Sequence, residues 1–163
     1  MNKVSNEIDK KVKLEMAEII QRDKRKCNLI VVGVKDVGGN DLLKGEIKDI
    51  LSSAGITDTI NFEVQGKVGK TTSDNTTMVR ISIIDFMHRS NVLKAAKNLK
   101  NVSGREKVFI MPDLTKKQQD QGKKLRFKLK EIREGGERLA RIQNNEIIKL
   151  ENGIRTVLFS GEV

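Results

Sequence analysis

The sequence predicts an α+β protein whose central part follows the ferredoxin-like, RRM-like order β-α-β-β-α-β, and three observations carry that prediction. Apolar residues run together or alternate in four short segments, which marks strands, and recur at three- and four-residue steps in the stretches between, which marks helices. Gly, Asn and Pro punctuate the joins. After Pro112 the chain becomes strongly basic, so the 163 residues divide into an N-terminal helix that could be the end of a coiled coil (1–26), a central domain (27–112) and a small α+β C-terminal domain (113–163).

Residues 3–26 contain neither Gly nor Pro. Ile8, Val12 and Ile19 stand at helical spacing, Val4, Met16 and Ile20 widen the stripe, and Glu15 interrupts it. This pattern suits either an amphipathic helix docked on the body or the last heptads of a coiled coil. Lys24-Arg25-Lys26 ends the stripe, and Asn28 to Val34 follows as an apolar, β-branched run of the buried-strand type. Asp36 to Asn40 reads as a turn. Leu42, Leu43, Ile47, Ile50 and Leu51 then form a helical stripe closed by Gly55.

Ile60, Phe62 and Val64 alternate with polar neighbours, as a half-buried strand does. Gly66 to Thr77 reads as a polar loop. Met78 to Ile84 is a third strand, with Arg80 and Ser82 on the face opposite Val79, Ile81 and Ile83. Phe86 to Leu99 is a second helix, and Val108 to Met111 a fourth strand ended by Pro112. Thr115 and Gln118 form a capping box for a long helix, which runs to Glu134 and stops at Gly135-Gly136. Leu125, Leu129 and Ile132 are its apolar face. Two Asn-containing turns, at Asn144-Asn145 and Asn152-Gly153, separate short β-rich runs and predict a small sheet.

Charge narrows the function. The chain carries 32 Lys and Arg against 22 Asp and Glu, a net +10, which favours polyanionic partners because clustered cations displace counterions from phosphates. Candidate contacts are Lys67 and Lys70 in the polar loop, Arg80 on the third strand, Lys94 and Lys97 on the second helix, and Lys123, Lys124 and Arg126 on the basic helix. Each basic segment also has the plainer reading of a solvated surface. With five Phe, no Tyr and no Trp, and no ring in the first central strand, the sheet lacks the usual base-stacking platform of RNA-recognition motifs, so binding should be charge-led and sequence-tolerant.

Enzymatic readings find no support in the residues. One cysteine, Cys27, and one histidine, His88, leave no disulfide, no Cys or His metal set and no nucleophile–base pair, so neither cofactor nor metal is expected. Gly66-Lys67-Val68-Gly69-Lys70-Thr71-Thr72 imitates a phosphate-binding loop, but Val64 stands where that pattern needs glycine, and a strand follows where it needs a helix. The N-terminus has no apolar signal core and no segment approaches the ~20 apolar residues that span a bilayer. An intracellular location without a membrane partner is expected.

The segments Asn28-Leu-Ile-Val-Val-Gly-Val34, Met78-Val-Arg-Ile-Ser-Ile-Ile84, Val92-Leu-Lys-Ala-Ala-Lys97 and Ile110-Met-Pro-Asp-Leu-Thr115 follow one another as landmarks. In that order and spacing the chain resembles the RNA-binding first-open-reading-frame protein of LINE-type (non-LTR) retrotransposons, over about residues 20–150. The resemblance implies a trimerising coiled coil, a non-standard RNA-recognition-motif domain and a C-terminal domain that together grip single-stranded RNA or DNA. It also implies nucleic-acid chaperone activity and packaging into cytoplasmic ribonucleoprotein particles, with possible access to the nucleus. Basic residues that match the family's are Lys67, Lys70, Arg80, Lys94, Lys123 and Lys124. Here the N-terminal heptads are few and several family arginines are lysines. The alternative function is an oligomeric protein-interaction scaffold built on the N-terminal helix and the ferredoxin-like domain.

Overall fold

The computed structural model describes residues 2–56 and 60–161; Met1, residues 57–59 and the last two residues of the C-terminal segment lie outside the described residues. The fold is α+β, with helices and antiparallel sheets in two compact units, residues 1–113 and residues 114–163. Among the described residues no helix is long and apolar enough to cross a membrane.

The first unit opens with helix α1 (Asn2–Arg25). It continues through β1 (Asn28–Lys35), α2 (Asn40–Ser53), β2 (Phe62–Val68), β3 (Thr76–Ile83), α3 (Phe86–Ala95) and β4 (Phe109–Pro112). The four strands form one sheet in the order β2-β3-β1-β4, every pair antiparallel. Strand alternation sends Leu29, Val31, Val79, Ile81 and Ile83 to one face, where Leu43, Ile47, Ile50 and Leu51 of α2 and Val92 of α3 bury them. The other face carries Ile30, Arg80, Ser82, Phe109 and Met111. One face is thus core, and the other is open around Arg80, Ser82, Phe109 and Met111, with Ile30 buried between them.

Three boundaries differ from the sequence expectation, each for a local reason. The second strand does not stop at Gly66: pairing with β3 slips between Val64 and Gly66 and then continues to Val68. Gly66 adopts φ +138, a conformation open to glycine, and the bulge it makes reverses the side-chain alternation beyond it. The loop shrinks to residues 69–75. The second helix ends at Ala95 and tightens into a 3-10 turn, Ala96–Asn101, that carries Leu99 into the core.

The second unit is helix α4 (Lys116–Glu134) over a sheet of β5 (Arg141–Gln143), β6 (Glu146–Glu151) and β7 (Ile154–Ser160). The capping box is present in full: the Gln118 amide donates to the Thr115 hydroxyl at 3.2 Å, and the Gln118 side chain accepts from the Thr115 amide at 2.9 Å. Asn144, Asn145 and Asn152 take positive φ in the two hairpin turns, as the asparagines predict. Leu125 packs with Ala140 and Ile147, flanked by Leu129, Ile132 and Leu158. Arg133 is structural, its guanidinium donating twice to the Ala140 carbonyl at 3.0 and 2.8 Å.

Two glycines give opposite expectations. At Gly33 φ is +79 and an added Cβ would meet the Lys107 carbonyl oxygen at 2.5 Å, so Gly33→Ala should cost on the order of 2–3 kcal/mol through strain and displacement of β4. Gly45 sits within α2 with open space around it, so Gly45→Ala should stabilise by about 0.5–1 kcal/mol. Denaturant midpoints of the two variants would move in opposite directions.

Candidate nucleic-acid interface

The densest basic surface belongs to α4. Its apolar side, Leu125, Leu129 and Ile132, faces the small sheet, which turns the cations outward. Lys123, Lys124 and Arg126 are all exposed. Lys116 and Lys123 share one carboxylate, Asp120, at 3.2 and 4.0 Å, and Lys130 meets Glu134 at 3.8 Å. These are solvent-exposed pairs of small worth, readily exchanged for a phosphate. Lys117, Lys124 and Arg126 have no acidic partner among the described residues. Lys128, by contrast, is closed against Glu131 at 2.9 Å.

The first unit treats its candidates unequally. Lys67, expected in a loop free to reach a phosphate, instead lies within β2, beyond the Gly66 bulge. There it forms a short ion pair with Asp36 at the end of β1, and the Thr71 hydroxyl donates to the other oxygen of the same carboxylate at 2.5 Å. The Lys67 ammonium first, and then the Thr71 hydroxyl, hold the Asp36 carboxyl below the usual carboxylate range. Asp36 thereby fastens the base of the loop, and its amide donates to the Asn75 carbonyl at 3.0 Å. Lys70 stays exposed in the loop, without an acidic partner among the described residues.

Arg80 lies on the open face of the sheet, as the alternation of its strand predicts. Its Nε donates to Oδ2 of Asp113 at 2.8 Å. The Asp113 side chain is only 5% exposed and is approached also by Arg25 Nη1 and Asn28 Nδ2, each at 3.5 Å. With Nε committed, the two terminal nitrogens of Arg80 have no partner among the described residues, and its side chain is 34% exposed. The carboxylate therefore aims a guanidinium fork across the sheet, the geometry that suits a phosphate or a base edge. Gly66 stands opposite Arg80 on β2 and places no side chain beside it.

Lys94 and Lys97 are exposed on the helical layer, across the sheet from Arg80. Within this unit the candidates thus fall into separate groups: Lys67 and Lys70 at one strand end, Arg80 on the open face, and Lys94 with Lys97 behind it. A single basic track through Arg80 and Lys94 is not what the sheet allows.

The aromatic rings occupy places that composition does not reveal. Of the five Phe, Phe62 is core, whereas Phe86, Phe109, Phe127 and Phe159 are exposed. Phe109 alternates outward from Ile110 in β4 and lies opposite Val32 on the open face. Its placement was legible from Val108 and Ile110 facing inward, and Phe127 from its falling off the Leu125–Leu129–Ile132 stripe. Arg89 rests on the Phe86 ring at 5.6 Å. Among the described residues no three of His, Cys, Asp and Glu gather to hold a metal.

Asp36 competes with phosphate for Lys67, so Asp36→Asn should steepen the salt dependence of single-strand binding by roughly 0.7 in log–log slope, the value of one further contact; an unchanged slope in salt titrations would exclude Lys67 from the interface. Because the folded-state pKa of Asp36 is depressed, its hold on the loop is present above the ordinary aspartate value of about 3.9 and is lost only as pH falls through the lower folded value. Exchange of the Asp36 amide, which the Asn75 carbonyl holds, should show protection that persists as pH falls through the ordinary aspartate range and fails only below it. No protein-family model and no curated protein matches the chain.

Proposed function

We propose that the protein binds single-stranded nucleic acid, RNA in the first place, and packages and anneals it without catalysing a reaction. The single observation that carries this reading is the outward face of α4, where Lys123, Lys124 and Arg126 stand exposed over an apolar side that is already buried. A net charge of +10 supplies the long-range attraction. Arg80, held by Asp113, adds an oriented fork on the first unit, and exposed Lys70, Lys94 and Lys97 add diffuse charge.

The element order and the sheet order β2-β3-β1-β4, with α2 and α3 on one face, support a ferredoxin-like, RRM-like reading of the first unit. Together with the landmarks quoted above, they favour the first-open-reading-frame protein of a LINE-type retrotransposon, acting in cytoplasmic ribonucleoprotein particles. A second reading, the oligomeric scaffold, is favoured by one observation. Along α1, Val4, Ile8, Val12, Met16, Ile19 and Ile20 are all exposed, a stripe with the periodicity of a helix–helix seam. In the leading reading the same stripe gathers copies, a trimer by resemblance, and multiplies affinity by avidity.

Binding to single-stranded RNA should fall linearly in log–log plots against salt, by about 0.7 per phosphate contact. Joint replacement of Lys123, Lys124 and Arg126 by Ala should flatten the slope by roughly 2. Affinity that ignores salt would end the proposal. Arg80→Ala needs a stability control, since it leaves the buried Asp113 short of a partner at a cost of about 1–3 kcal/mol. Removing residues 1–24 separates the two readings: a nucleic-acid binder keeps weakened, salt-sensitive binding per copy, whereas a scaffold loses its function outright.

A further inference from the structure

Phe127 is 67% exposed, yet it stands in the middle of a well-formed helix. Helical spacing puts it on the ridge Lys116, Asp120, Lys123, Phe127, Lys130, directly opposite the buried Leu125 and the half-buried Leu129 and Ile132. No part of the unit's core uses this ring. Lys123 lies one turn before it and Lys130 nearly one turn after, while Lys124 and Arg126 flank it on either side of the ridge. The two ridge lysines meet acids only at 4.0 and 3.8 Å, and Lys124 and Arg126 have no acidic partner among the described residues. Three of the ring's four helix-face neighbours are cations, Lys123, Lys124 and Lys130, and the fourth, Glu131, is taken up by Lys128 at 2.9 Å; such a ring is complementary to an unpaired base carried between two phosphates. A duplex keeps its bases stacked and offers the ring no face, and a partner lacking dense negative charge would leave the surrounding cations without counter-charge.

We infer that Phe127 is a base-stacking residue of α4, against which an unpaired base of a single strand lies while Lys123, Lys124 and Lys130 hold the neighbouring phosphates. The inference rests on the nucleic-acid-binding reading and deepens it. Charge fixes that a polyanion binds, and the ring makes binding prefer single strands. Stacking is a contact every base can make, so the preference is for strandedness and not for sequence.

The full chain has no Trp and no Tyr, so Phe127→Trp installs a lone indole emitter at the site. Titrating this variant with a single-stranded oligonucleotide should quench its emission, and titration with polyphosphate, which has charge but no bases, should not. Phe127→Leu, which keeps an apolar side chain and a good helix former, should weaken single-strand binding roughly 5- to 100-fold, the size of one lost stacking contact, with duplex affinity and salt slope unchanged. Equal quenching by polyphosphate, or full single-strand affinity in Phe127→Leu, would overturn the stacking role while leaving the charge-led function standing. Absence of any salt-sensitive binding by the unaltered chain would overturn both.

Discussion

The first unit depends on one buried carboxylate. Asp113 receives Arg80 from β3, Arg25 from the end of α1 and Asn28 from the start of β1, and its own amide donates to the Asn28 carbonyl at 3.2 Å. A carboxylate so nearly removed from water is tolerated only where cations and donors surround it. That requirement draws the helix end, both central strands and the exit from β4 to one point. The same contact decides what Arg80 can do. A guanidinium anchored through Nε has lost most of its rotamer freedom, so the entropy of ordering it is already met before a ligand arrives.

Charge in this protein is therefore not one quantity but two. Asp36 and Asp113 bind Lys67 and Arg80 into the fold, and the Ala140 carbonyl does the same for Arg133. Lys149, clamped between Glu151 and Glu137 at 2.9 Å each, is another cation committed to structure, and these partners raise its pKa. What remains available is concentrated on α4, where the acids are fewer and the pairs looser. Net charge overstates the cations that are free to bind, and the arrangement of acids shows which they are.

Much of this was legible in the sequence because periodicity fixes which face a residue takes. Arg80 and Ser82 followed from alternation with Val79, Ile81 and Ile83, and the α4 cap followed from Thr115 and Gln118. Lys67 was misplaced because a single bulge at Gly66 both lengthens the strand and reverses its faces. Gly66 is the local sign that a bulge is open to the strand, but whether the strand stops or slips there is set by pairing with β3 across the sheet. Asp113 was hidden for a related reason. Its partners lie 33, 85 and 88 positions away, so only the folded chain gathers them.

The start of α4 carries a charge arrangement that works against helix stability. Lys116 and Lys117 occupy its first turn, and no acidic residue does. Cations at that end oppose the helix dipole by about 0.3–1 kcal/mol each, so a helix composed for stability alone would place carboxylates there. The capping box offsets the penalty by satisfying two backbone donors. Phe127 repeats the pattern further along, as an exposed ring that contributes nothing to the core. Two local penalties on one outward face, with the core of the unit complete behind it, are accounted for together if that face is shaped for a polyanion with exposed bases.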